Sequence, residues 1–104
     1  MSDNRAVVVI EYFDPSRIQF PRLHQVGIVP ADCTDPGGIL LAMEEKEYSD
    51  VRDAFAHAVR LQNKENVEYG IRKMELGTLT PDRYEELTAR AFSKRKDWGQ
   101  PYEE

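Results

Sequence analysis

The stretch AVVVIEYF, residues Ala6–Phe13, decides the fold of this chain. Its β-branched and aromatic residues favour extended backbone, and Asp14 and Pro15 end it, since proline fixes φ and lacks an N–H donor. The unbroken apolar run Ala6–Ile10 is typical of a strand buried on both faces. We therefore expect Ala6–Phe13 to be the best-formed strand of a sheet.

The first part of the chain is rich in proline and glycine, which excludes long helices there. Gln25–Val29 is predicted to be a second strand. The turn sequence Asp35–Gly38 then precedes Ile39–Met43, which we interpret as a third strand. A short helix opened by Asp35 and Pro36 is the alternative for that segment.

From Ser49 onward the apolar residues recur at helical spacing, three or four positions apart. They are Val51, Ala54, Phe55, Ala58, Val59 and Leu61. This spacing predicts a helix over about residues 49–62, with Ser49 as its N-cap.

Two structures are open to residues 66–76. Ile71 and Met74 fall on one face of a helix, whereas a strand would place Lys73 where an apolar residue is expected. We therefore predict a helix, although Gly70 weakens it by up to about 1 kcal/mol. A strand through the middle of the segment is the alternative.

The sequence GTLTPDRY carries the clearest local signal in the chain. Gly77 suits the left-handed residue that ends one helix, Thr80 suits the cap of the next, and Pro81 suits its first position. We therefore predict an αα-hairpin at Gly77–Pro81, with the last helix running to about Lys96.

Together these elements predict an α+β fold in one domain, residues 1–104. A small antiparallel sheet of about three strands, from the N-terminal half, is expected to pack on two to three C-terminal helices. One face of the sheet would then share the core with the apolar stripes of the helices. Residues 1–5 and 99–104 are expected to be frayed tails.

The net charge of −5 lies entirely in the first half of the chain: residues 1–50 hold nine acidic and four basic residues, and residues 51–104 hold ten of each. A negative field repels nucleic acid and anionic membranes. No apolar run approaches the ~20 residues of a membrane helix. With one cysteine, Cys33, an intrachain disulfide is excluded. We therefore expect a cytoplasmic protein that does not bind membranes.

Motifs for phosphate binding, zinc binding and nucleophilic catalysis are absent from the sequence. One group of side chains forms a metal or nucleophile site only if its loop folds back: His24, Asp32, Cys33 and Asp35. Turn-forming aspartates and a surface histidine are the favoured interpretation. His57 follows Asp53 by one helical turn, which is typical of a surface electrostatic pair. We therefore predict no catalytic, cofactor or metal site.

Acidic residues flank the predicted strands, and aromatic residues are numerous for so small a core. Aromatic side chains and complementary charges are common in protein interfaces. We predict a non-enzymatic interaction module, such as an accessory subunit, an inhibitor or a regulator of the phage or mobile-element type, with self-association through an exposed strand edge or helix face. The predicted partner-binding residues are Glu11, Asp14, Glu44, Glu45, Glu47, Tyr48 and Trp98.

Two other functions remain open. The first is a small enzyme or ligand-binding domain with a pocket between sheet and helices, using His24, His57 or the carboxylates of Glu11 and Asp14. The second is weak nucleic-acid binding through Arg90–Lys96, a basic stretch interleaved with aromatic residues. Cations in the last turn of a helix also complement its dipole, so this interpretation is disfavoured.

Overall fold

The computed structural model describes residues 4–67 and 69–99, with side chains as far as residue 92. The predicted frayed tails lie largely outside these residues. At their inner ends, Arg5 begins a strand and Gly99 ends a helix.

Within the described residues one sheet is formed by three strands: β1 (Arg5–Phe13), β2 (Arg22–Pro30) and β3 (Ile71–Thr78). β1 lies in the centre, antiparallel to β2 and parallel to β3. As the apolar run predicted, β1 is buried on both faces, and residues 7–10 are 0% exposed. The central strand therefore needs packing partners on each side of the sheet.

The part of the chain that the structure describes supplies these partners as three helices: α1 (Pro36–Ala42), α2 (Val51–Glu65) and α3 (Pro81–Gly99). α2 adds Ala54 and Ala58 to the core cluster that contains Val9. α1 adds Ile39 to the cluster of Ile10 on the opposite face, and α3 packs on α1. The α+β class is confirmed, but both sheet faces contribute to the core, and not one as predicted. Within the described ranges, no helix combines the length and apolar character that crossing a membrane requires.

The helix predicted over about 49–62 is confirmed as α2. Its N-cap is Asp50 rather than Ser49, because the Asp50 carboxylate accepts the N–H of Arg52 at 2.9 Å. Asn66 ends the helix in the left-handed conformation, with a φ of 54°.

The prediction of a third strand at Ile39–Met43 is wrong, because helix-starting signals outweigh the apolar run. The side chain of Asp35 accepts the N–H of Gly38 at 3.3 Å, and Pro36 occupies the first turn of α1. This segment therefore adopts the alternative, a short helix.

The prediction of a helix over residues 66–76 is also wrong, since Ile71–Thr78 forms β3. The segment pairs with the edge of β1 that β2 leaves free. The spacing of apolar residues within the segment contains no information about this distant partner. Lys73, which argued against a strand, lies 2.9 Å from the carboxylate of Glu11 on β1. The sheet is therefore mixed rather than antiparallel, and its third strand lies outside the N-terminal half.

The predicted αα-hairpin at Gly77–Pro81 is instead a connection from β3 to α3. Its local chemistry is as expected: Gly77 has a φ of 72°, and the Thr80 hydroxyl oxygen accepts the N–H of Arg83 at 3.1 Å. Pro81 is the first residue of α3. Turn chemistry thus specified where α3 starts, but not the element that precedes it.

Candidate functional site

Residues 43–48, which we call the edge segment, run along the outer edge of β2. The backbones of Tyr48 and His24 exchange two hydrogen bonds of 2.8 Å, and the N–H of Glu44 donates to the carbonyl of Val26 at 2.9 Å. Backbone pairing therefore fixes the segment against the sheet. It carries a run of the predicted partner-binding residues: Glu44, Glu45, Glu47 and Tyr48.

A cleft of about 360 Å³ opens between the edge segment, the end of β1 and the start of α3. We call it the acidic cleft, because three of the predicted partner-binding carboxylates line it: Asp14, Glu45 and Glu47. Its apolar lining comes from Leu40, Met43, Leu79 and the ring of Tyr84. The structure thus brings part of the predicted set to one concave surface.

One guanidinium holds two of these carboxylates. Arg17 donates to Glu47 at 2.6 Å and lies 3.4 Å from Asp14. Hydrogen bonds from Ser16, ahead of the charge of Arg17, keep the pKa of Asp14 below its usual value. The buried hydroxyl of Tyr12 donates to Glu47 at 2.5 Å, and burial, followed by this carboxylate, raises the pKa of Tyr12. Because three carboxylates are balanced by only this one guanidinium among the described residues, the cleft carries a net negative charge.

Glu45 is the carboxylate with no partner among the described residues, and it is exposed to solvent. The ring of Tyr84, 42% exposed, lies at the same cleft, beside the buried side chain of Leu79. Such a surface suits a lysine or arginine, whose aliphatic stem packs on apolar groups while its charged end stays near carboxylates. An aromatic face adds a cation–π attraction.

The other predicted residues of the edge segment contact α2. The Nε2 atom of His57 lies 2.7 Å from the Glu44 carboxylate, and its Nδ1 lies 3.1 Å from the Tyr48 hydroxyl. Within the described structure the imidazole therefore joins the edge segment to α2, and its ring nitrogens contact these two side chains rather than Asp53.

The loop residues proposed as metal or nucleophile ligands are not brought together. Cys33 packs on the sheet face that α1 covers. His24 shares the opposite face with Val26, two positions along β2, since side chains alternate along a strand. Among residues 4–67 and 69–99, no group of three or more His, Cys, Asp or Glu side chains is arranged to hold a metal ion.

Two predicted sites lie at the limit of the description. The side chains of Trp98 and of residues 94–96 fall outside the described residues. Arg90, the described cation of the basic stretch, lies 3.6 Å from Glu86 on the same helix, which is an ordinary intrahelical pair.

Sequence analysis missed the residues that α3 brings to the cleft. Thr80 and Pro81 were interpreted as capping residues, yet together with Tyr84 they form one wall of it. They reach this position because α3 packs closely on Gly37 of α1. The pairing of two helices far apart in sequence has no local signal beyond the absence of a side chain at Gly37.

His24 is expected to make stability depend on pH. Its side chain is buried, 4% exposed, and burial, ahead of nearby charges, lowers its pKa. The unfolded chain therefore binds the proton more readily than the folded chain does. The free energy of unfolding should have its maximum contribution from His24 above about pH 6.5 and should decrease as the pH drops below that value. Urea unfolding at a series of pH values measures this slope.

The matched variants for that experiment are His24→Gln and His57→Gln. H24Q should flatten the slope between about pH 7 and pH 5, a window above the range in which carboxylates titrate. H57Q should retain the part of the pH dependence that His24 contributes. An unchanged slope in H24Q would contradict this account.

The chain matches no family model, no curated protein and no solved structure. Its function must therefore be inferred from the geometry and charge of its own surface.

Proposed function

We propose that this protein is a non-enzymatic interaction module that binds a lysine- or arginine-bearing segment of a larger protein in the acidic cleft. The observation that carries the proposal is the placement of Asp14, Glu45 and Glu47 around one cleft with an apolar lining. Arg17 compensates part of this charge, and Glu45 is left for a partner. An accessory subunit, an inhibitor or a regulator would act in this way.

The size of the cleft supports recognition of a short segment. A volume of about 360 Å³ is near the lower end of the range for ligand pockets, which begins at roughly 300 Å³. The stem of one basic side chain would lie on Leu40 and Leu79, with its charged end between Glu45 and Glu47. The net charge of −5 would favour encounter with a basic partner.

The chemistry of Tyr12 supports a binding role over a catalytic one. It is the buried one of the two tyrosines in the lining, and its raised pKa keeps it protonated at neutral pH. It donates to Glu47 and so fixes that carboxylate in place. A group held in this state is neither a nucleophile nor a general base.

Replacing Glu45 with lysine is expected to weaken binding of a basic peptide by about tenfold. The substitution removes an attraction and adds a repulsion at a solvated site, each worth about 0.7 kcal/mol, and together they correspond to a tenfold change. Titration calorimetry with hexalysine and hexaarginine measures the change. Affinity for the unaltered protein should also fall as salt is added, because exposed charges are screened.

Glu65→Lys is the matched control, since it changes the net charge equally at an exposed position near the end of α2. It should bind the peptides nearly as well as the unaltered protein does. Equal weakening in E45K and E65K would mean that the peptides respond to total charge, and the proposal would then fail.

A further inference from the structure

A second concavity, of about 480 Å³, lies where α2 begins, on the sheet face opposite the acidic cleft. We call it the His24 pocket. β1, β2 and β3 each contribute charged or polar side chains to it, and the start of α2 closes one side. Its lining includes Glu11, Phe20, Arg22, His24, Val51 and Lys73.

His24 is the unusual group in this pocket. Its side chain is 4% exposed, and its Nδ1 atom is buried without a hydrogen-bond partner in the described structure. The backbone pairing with Tyr48 fixes its position on β2. Buried polar atoms in folded proteins are nearly always hydrogen-bonded. An imidazole that lacks such a bond and also lines a pocket is therefore the first group to consider for ligand binding.

The charges around the pocket leave cations available to a ligand. Arg22 and Lys73 both contact the Glu11 carboxylate, at 2.8 and 2.9 Å, so two cations share one partly buried anion. The Glu11 side chain is 12% exposed, whereas those of Arg22 and Lys73 are 67% and 39% exposed. A second acid, Glu75, lies 3.8 Å from Lys73 but is 73% exposed. Of the three groups that meet at Glu11, the two cations are therefore the ones that an incoming anion can reach.

The start of α2 adds to this positive character. A helix N-terminus carries a partial positive charge and free N–H groups. The Asp50 carboxylate is already engaged by the N–H of Arg52 at 2.9 Å and by its guanidinium at 3.0 Å. The N–H of Val51, at the pocket, has no acceptor among the described residues.

Phe20 supplies an apolar surface beside the charged groups. Its ring is 65% exposed and lines the pocket. Its φ of 54° is rare for a bulky residue, and such outliers concentrate at ligand sites. A ligand with a flat apolar part would cover this ring.

We propose that the His24 pocket binds a small organic oxyanion, a carboxylate or phosphate group attached to an aromatic body. Arg22 and Lys73 provide the counter-charges, His24 donates a hydrogen bond from its imidazole, and Phe20 packs on the aromatic part. This site is separate from the acidic cleft, and it does not depend on the function proposed there.

Binding should strengthen as the pH falls toward that at which His24 takes up a proton. Glu11 stays ionised in this range because Lys73, ahead of Arg22, lowers its pKa, and Asp50 also has a lowered pKa owing to Arg52. Lys73 and Arg52 stay charged, because Glu11 raises the pKa of Lys73 and Asp50 raises that of Arg52. Among the groups of the pocket, the charge that changes is therefore that of His24, and a protonated imidazole favours the bound anion. Benzoate reports this trend because it stays ionised over the whole range, whereas phenyl phosphate itself takes up a proton near about pH 6.

Nuclear magnetic resonance of the His24 ring, during titration with phenyl phosphate and with benzoate, tests the proposal. The ring signals should shift and saturate with at least one of the two probes, and the pKa of His24 should rise in the complex. Stronger binding of phenyl phosphate would assign a phosphate group to the site, and stronger binding of benzoate would assign a carboxylate.

Arg22→Gln and Arg60→Gln are the matched variants, since both positions are exposed and Arg60 lies further along α2, outside the pocket. R22Q should weaken binding by roughly five- to tenfold, and R60Q should leave it unchanged. The proposal is overturned if neither probe shifts the His24 signals at millimolar concentration, or if both variants weaken binding equally.

Discussion

Replacing Gly37 with alanine should lower the free energy of unfolding by about 2–3 kcal/mol, which is roughly 10–20 °C in Tm for a chain of this size. An ideal Cβ at this position would lie 2.0 Å from the carbonyl oxygen of Leu87 and 3.0 Å from the Cβ of Ala91. A backbone carbonyl within a helix cannot turn aside, so α3 must move away from α1. Thermal and urea unfolding measure the loss.

Gly38→Ala is the control within the same helix. The atoms nearest to a Cβ there are 3.5–3.8 Å away, which is ordinary van der Waals contact. Because alanine favours a helix over glycine by about 1 kcal/mol, G38A should be as stable as the unaltered protein or more stable. Equal stabilities for G37A and G38A would show that the contact between α1 and α3 is not as close as described.

The second large effect is expected at Gly27, where β2 meets the edge segment. A Cβ would lie 2.4 Å from the carbonyl oxygen of Ala42 and 2.9 Å from the Cα of Met43. G27A should therefore displace the edge segment and cost about 2–3 kcal/mol of stability. Hydrogen exchange should also become faster at the amides of Glu44 and Tyr48, which bond to β2.

Gly70→Ala provides the comparison for that variant. Nothing lies within 4 Å of its ideal Cβ, and its φ is not positive. G70A should change stability by no more than about 0.5 kcal/mol. If G27A were equally mild, the edge segment would not be held against β2 as closely as described.

Local chemistry accounts for the parts of the fold that sequence analysis predicted. The unbroken apolar run Ala6–Ile10 leaves no polar face for water, so it indicated a strand buried on both faces. Thr80 and Pro81 specify the start of α3 through capping and fixed φ, whatever lies before them. The spacing of the apolar residues of α2 likewise follows from the single face that it buries.

The errors arose where a distant partner decides the structure. Ile71–Thr78 becomes a strand because it pairs with β1, and the ion pair of Lys73 with Glu11 makes a charged residue acceptable there. The order of apolar and polar residues in 66–76 indicates neither the pairing with β1 nor this ion pair. For Ile39–Met43 the information was local, but the cap at Asp35 was given less weight than the apolar run.

The candidate site divides in the same way. The carboxylates of Glu45 and Glu47 were visible as an acidic cluster in the sequence. The wall that turns them into a cleft, with Leu79 and Tyr84, depends on how α3 packs on α1. The cations of the His24 pocket could not be anticipated, since Lys73 reaches Glu11 only after β3 has joined the sheet.

The most direct test of the central claim is to map where a basic peptide binds. ¹⁵N-labelled protein is titrated with hexalysine, and the shift of each backbone amide is followed. Saturable shifts at Glu45, Glu47, Leu79 and Tyr84 are predicted. Shifts spread over exposed acids such as Glu65 and Glu85, with none at the acidic cleft, would contradict the account.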